Sequence, residues 1–155
     1  MTPRWIEAIL SSHVFEIAAR VLFTFPFWGS GLIKLIDFSG GMAEMSQFGL
    51  EPAWLFNGLT VFVQLTGSAL IILNRGTWLG AGMLGVFTFL TIPIVHAFWR
   101  LEGERAIMAF HTAGEHMGMI GAMALVSILA ARSNQAAPKA SSNEMKLGNA
   151  GILQR

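Results

Sequence analysis

No cysteine occurs in the 155 residues, and charge is scarce. The first absence excludes disulfides, thiolate zinc sites, cysteine-ligated iron–sulfur clusters and any dithiol relay carried by the chain itself. Redox chemistry must then be borrowed from a bound group or a partner. Charged residues make up 12% of the chain, about half the share usual in a soluble domain. With a net charge of +1 there is no basic stripe to neutralise phosphates, which excludes nucleic acid as a partner. What is present instead is apolar: 54% of residues, with a mean hydropathy of +0.58.

The few charges are unevenly placed. Residues 53–73 and 76–99 carry none, residues 17–33 only Arg20, and residues 106–131 only Glu115. Each window is long enough to cross a hydrocarbon core of roughly 30 Å at about 1.5 Å per residue. Core helices of a soluble protein would need a far larger polar exterior than this chain has. Spanning strands would alternate apolar and polar residues, and these runs are continuous. The pattern predicts an all-α membrane protein, a bundle of four transmembrane helices at about 14–35, 52–73, 77–99 and 110–131.

The remaining segments are short. Residues 1–13 form a cytoplasmic leader that is no signal peptide, because Glu16 and Arg20 interrupt any apolar core and no small-residue cleavage site follows. Between the first two spans, Phe38, Met42, Met45 and Phe48 recur at helical steps within residues 37–51, which predicts a short interfacial helix. Pro52 fits the first turn of the second span, Asn74 to Gly76 a tight turn, and Pro93 a kink near the end of the third. Residues 132–155, rich in Ser, Asn, Ala, Gly and Lys with Pro138 among them, read as a disordered cytoplasmic tail.

Orientation follows from basic residues near the helix ends. With both termini in the cytoplasm, that side carries Arg4, Arg75, Arg132, Lys139 and Lys146, against Lys34, Arg100 and Arg105 outside. Trp78, Phe98 and Trp99 suit headgroup depth. Small residues four apart, Gly76 with Gly80, Ala81 with Gly85, and Gly114 with Gly118, are the expected helix contacts.

Ionisable groups at membrane depth cost about 2.5–3.5 kcal/mol on insertion scales, so each is a candidate site residue. Glu16 and Arg20 are one turn apart and suit a local ion pair, with Arg20 turned either to the surface or to the bundle interior. Asn57, Thr60 and Gln64 form a polar stripe expected to bond neighbouring helices, and Arg20 with Gln64 is a candidate intramembrane polar pair. At the opposite end the topology gathers Lys34, Asp37, His96, His111, Glu115 and His116. Lys34, His96, Glu115 and His116 are the candidate pocket for a quinone headgroup, since imidazole bonds a carbonyl oxygen and titrates near neutrality. His96, His111 and Glu115 are the weaker alternative, a metal site, with the right donor types but no diagnostic spacing.

Taken in order, Arg20, Phe25, Gly31 and Lys34, then Phe38, Met45, Gly49 and Pro52, then Gln64, Gly67 and Arg75, and last His96, Phe98 and Trp99, resemble the DoxX family of small four-helix membrane proteins. The resemblance covers about residues 14–131, and Gly-Leu-x-Lys closing the first span with His-x-Phe-Trp closing the third carry most of it. It implies a multi-pass protein of a bacterial inner membrane, in a family whose named members are subunits of quinone-linked oxidoreductases, including those that oxidise thiosulfate. The family's polar positions fall here on Arg20, Lys34 and His96. Gln64 stands where relatives usually have Glu, and Glu115 with His116 where they often have Lys-Asn.

Three functions are therefore in view. The first is a membrane subunit or accessory of a quinone-linked oxidoreductase complex, without independent activity and with quinone as its only expected cofactor. Its partners would be the lipid membrane, a soluble or membrane oxidoreductase and, as an option, a second copy of the chain. The second is a non-enzymatic scaffold anchoring soluble partners. The third is a small transporter or proton conductor, for which four helices are few.

Overall fold

The computed structural model describes the backbone of residues 2–152 and the side chains of residues 2–133. In chain order it contains α1 (Arg4–Leu10), α2 (His13–Ile36), α3 (Phe38–Gln47), α4 (Ala53–Ile72), α5 (Thr77–Val95), a 3-10 turn at Phe98–Arg100, and α6 (Gly103–Ile152). Among the described residues, four helices are long and apolar enough to cross a membrane, within His13–Ile36, Ala53–Ile72, Thr77–Arg100 and Gly103–Ser133. Their outward side chains suit lipid rather than water: Leu22, Phe62, Val86, Phe89 and Leu125 are all more than half exposed. The chain is an all-α, multi-pass membrane protein.

Several details differ from the sequence expectation. The leader holds a helical turn, α1, which hydropathy alone does not mark. Pro52 lies one residue before α4 in extended backbone, and the Glu51 carboxylate caps the helix by accepting from the Ala53 N–H at 2.9 Å. α6 begins at Gly103, because a helix continues through polar Glu104 and Arg105 that an apolar window excludes. The tail, expected to be disordered from Arg132, continues the α6 backbone to Ile152; it holds Ala136, Ala137, Ala140 and Glu144, good helix formers that a reading based on burial passes over. Its side chains beyond Ser133 and all of residues 153–155 lie outside the described residues.

The spans pack as a row. α2 lies on α4, α4 on α5 and α5 on α6, while among the described residues α2 and α6 approach each other less closely and meet at the core through Phe27 and Met123. Phe27, Ile71, Ala81, Leu84 and Met123 form the buried core, which fills the half of the row nearest the α4–α5 turn. There the two backbones touch: a Cβ on Gly80 would stand 2.6 Å from the Gly67 carbonyl oxygen. The turn itself uses left-handed backbone at Asn74 (φ 52°) and Gly76 (φ 66°). Of the expected small-residue contacts, Gly80 and Ala81 are buried, whereas Gly114 and Gly118 face open space, since α5 meets α6 along Ala109, Ala113 and Met123 instead.

Most polar groups inside this half are satisfied locally, the buried Ser68 hydroxyl being without a partner. The Thr24 hydroxyl donates to the Arg20 carbonyl and that of Thr88 to the Leu84 carbonyl, both at 2.7 Å, so neither needs a partner helix. Arg20 reaches further. Its guanidinium donates to the Ile71 carbonyl at 2.7 Å, to Asn74 Oδ1 at 3.0 Å and to Glu16 Oε1 at 2.7 Å. Ile71 is in the last turn of α4, where the dipole is negative and its carbonyl has only the 3.2 Å turn bond from the Asn74 N–H, so Arg20 fastens α2 to the end of α4.

At the other end α3 folds back onto α4. Asp37 caps it by accepting from the Gly40 N–H at 2.9 Å, Gly41 lies against the Asn57 side chain, and Met45 is buried. It is therefore a packed element and not only a surface helix. The Gly40 N–H and the Ser39 hydroxyl hold the Asp37 carboxyl below its ordinary value of 3.8. The Ser46 hydroxyl and the Ala53 N–H do the same for Glu51, ordinarily 4.5.

Two predictions follow from this packing. Gly80→Val should destabilise the bundle by about 1–3 kcal/mol through overpacking, read as a lower melting temperature in detergent, whereas Gly82→Val, at a position with no neighbour within 4 Å, should change little. Because folding lowers both carboxyl pKa values, the stability they supply is present above the unfolded values and lost as pH falls through the lowered ones. Hydrogen exchange in residues 38–47 should thus accelerate below the ordinary carboxylate range, and Asp37→Asn with Glu51→Gln should remove that dependence.

Candidate functional site

The half of the row away from the core is hollow. A cavity of about 450 Å³ lies there, within the usual range for small-molecule sites. Its wall draws on Ser30 and Lys34 of α2, Glu44 of α3, Thr60 and Gln64 of α4, Thr91 of α5, and His96 and His116 beyond them. Val63, Phe87 and Ile94 are among the apolar groups between. The cavity lies beyond the buried core, between α2, α3, α4 and α5, with His116 of α6 at its edge.

Each polar group arrives by a separate local cause. Gly31, one turn before Lys34, lets α2 lie directly on Gln64 and Leu65, and this close approach sets Lys34 beside the middle of α4. The Lys34 ammonium donates to Glu44 Oε2 at 2.7 Å, which offsets burying a cation. One N–H is so used, and an ammonium has three. α5 ends two residues after Pro93, and the chain turns at His96, whose ring meets that of His116 edge-on with centroids 4.9 Å apart. His116 Nδ1 is 2.8 Å from the Thr112 carbonyl, which can only accept, so Nδ1 carries the proton and Nε2 is left for other partners.

Gln64, with Asn57 and Ser68, departs from the bundle's polar economy. It is 4% exposed, lines the cavity, and its Oε1 has no hydrogen-bond partner. Asn57, also on the polar stripe, donates to the Phe38 carbonyl at 3.4 Å, and its Oδ1 is likewise without a partner. Of the stripe, Asn57 bonds a neighbouring helix as expected, while Thr60 and Gln64 turn to the cavity.

The structure brings Lys34, His96 and His116 together and adds Gln64. Glu115 is not among the lining residues; one residue from His116 means a rotation of about 100° around the helix, which carries it to the exposed face. His111 is exposed on α6 as well, and the described residues hold no cluster of three His, Asp or Glu side chains fit for an ion, so His96, His111 and Glu115 do not form the expected alternative metal site. Arg20 and Gln64 do not pair either: Arg20 is bound at Ile71, two turns along α4. Asp37 is spent on capping α3. Sequence reasoning missed Glu44, whose one signal is an acid on the otherwise apolar 38–48 repeat shortly after a lysine that needs a counter-ion.

A family model described as DoxX matches residues 16–97. The chain belongs to the DoxX family. The matched residues include α2 to α5 and every polar group of the cavity named above except His116. No curated protein and no solved structure matches the chain. The DoxX segment thus supplies both the Arg20 fastening and the hollow half, and α6 adds one imidazole to it.

Leaving a buried amide oxygen unpaired costs about 1–3 kcal/mol. Gln64→Leu should therefore raise the melting temperature of the purified protein in detergent, the reverse of the usual effect of a core substitution.

Proposed function

We propose that this DoxX-family chain is a membrane subunit or accessory of a quinone-linked oxidoreductase complex in a bacterial inner membrane, and that its cavity holds the quinone headgroup. One observation carries the reading: a mostly apolar, half-open cavity into which the bundle directs Lys34, Gln64, His96 and His116 while leaving the Gln64 carbonyl unpaired. Those groups fit the ligand. Lys34 has N–H groups for a carbonyl oxygen, the Gln64 amide offers a donor and an acceptor, and the apolar wall suits a ring.

When bound, a quinone supplies the two-electron acceptor chemistry that no side chain of a cysteine-free protein offers. The chain's own residues bind and orient it. Lys34 and the imidazoles hold protons beside the headgroup, and Val63 and Phe87 exclude water from it. Electrons come from a partner oxidoreductase, so the isolated chain has no turnover of its own. Cytoplasmic termini follow from the basic residues: Lys34 is drawn into the cavity and drops out of the external count, leaving Arg100 and Arg105 against five on the other side.

Protein purified from bacterial membranes should carry extractable quinone. It should bind decylubiquinone, seen as tryptophan fluorescence quenching, and Gln64→Leu and His96→Leu should each weaken binding about tenfold, the loss of one to two good hydrogen bonds. Protein free of quinone, with wild type and variants indistinguishable in the titration, would overturn the proposal.

A further inference from the structure

The wall of the cavity contains two formally charged side chains among the described residues, Lys34 and Glu44, and they are joined at 2.7 Å. The remaining titratable groups that face it are the imidazoles of His96 and His116. The pair is lopsided. The Lys34 side chain is 14% exposed and that of Glu44 44%, so the cation is the deeper-set and the anion the more accessible member of the pair. Glu44 is held there by the packing of α3 through Gly41 and Met45, which does not depend on the ion pair.

This arrangement matters because the cavity is half open and set among membrane-spanning helices. Anything that dissolves in a membrane competes for such a site, and a bacterial membrane is rich in anionic amphiphiles. A lone buried lysine would attract them strongly, since one uncompensated charge at a few ångströms in a medium of low polarity is worth several-fold to many-fold in affinity. We infer that Glu44 is a specificity-determining residue: by cancelling Lys34 it makes the cavity neutral, so that uncharged amphiphiles enter and anionic ones are turned away. The inference rests on the reading of the cavity as an amphiphile site, and it concerns selection rather than the identity of the headgroup.

Lys34 keeps N–H groups free for a neutral oxygen acceptor while its charge is spent on Glu44. A carboxylate or phosphate headgroup approaching the same lysine meets the Glu44 oxygens at the same time, and the like-charge repulsion removes what the cation offers. Selection of this kind needs no steric filter, which a half-open cavity does not provide.

Full-length protein in dodecyl maltoside, titrated with decylubiquinone as the neutral probe and oleate as the anionic one, tests the inference through the ratio of the two affinities. Wild type should favour decylubiquinone, and Glu44→Gln should shift the ratio toward oleate by about tenfold or more. The double variant Lys34→Gln/Glu44→Gln, neutral again, should return to the wild-type ratio. Should Glu44→Gln fail to fold with its lysine unpaired, Lys34→Gln gives the mirror experiment, because the exposed Glu44 tolerates losing its partner: dodecyltrimethylammonium should then gain about tenfold over wild type. A ratio that does not move in Glu44→Gln, no gain for the cationic probe in Lys34→Gln, or an oleate gain that persists in the double variant would overturn the assignment. Failure of wild type to bind decylubiquinone would instead remove the quinone reading, and oleate binding by Glu44→Gln against wild type would still decide the role of Glu44.

Discussion

Helices in lipid gain little by hiding apolar surface from one another, so something else must draw them together. Here it is the contact of α4 with α5 at Gly67 and Gly80, where the absence of side chains lets two backbones meet. Leu84, Ile71 and Ala81 are buried around that point because the helices are already close. The Arg20 fastening sits at the same end and adds α2 to the pair through the Ile71 carbonyl, which also accepts from the Asn74 N–H. Further along, Phe56 and Phe87 replace glycine in the wall, and the row stays apart. Close packing and cavity are two ends of one arrangement.

The division shows in how polar atoms are treated. Near the core, threonine hydroxyls return to their own helices and Arg20 donates to three acceptors, with the small Ser68 hydroxyl left unpaired. Around the hollow half, Gln64 is buried with an oxygen unpaired, and Lys34 has its charge cancelled by a residue from a different element. A bundle built only for stability has no use for either feature, because an apolar side chain at position 64 would pack without the cost of an unpaired carbonyl.

Much of this was legible in the sequence, and for identifiable reasons. Charge-free windows longer than a hydrocarbon core leave little choice but spanning helices, and the order of Arg20, Lys34, Gln64 and His96 along those windows marked the family. Azimuth was harder to read. Glu115 and His116 are neighbours in sequence, yet which of them faces inward depends on how α6 is rotated against α5, and the glycine pattern suggested the wrong face. Glu44 escaped because its partner comes from another helix, and the fold-back of α3 that joins them is a tertiary event set by Gly41 and Asn57. The fate of Gln64 was hidden for a related reason: periodicity shows that a residue faces protein but not that the protein there is empty.

The attachment of α6 has a mechanical corollary. Because it leans on α5 and the turn at Phe98–Arg100 and joins the core at Met123, a small tilt about that core would carry His116 toward or away from the fixed groups on α2 and α4. The framework of three earlier spans and the folded-back helix would be undisturbed. The volume and polarity of the hollow half can thus be retuned by residues such as Ala109, Ala113 and Met123 that never touch what it contains.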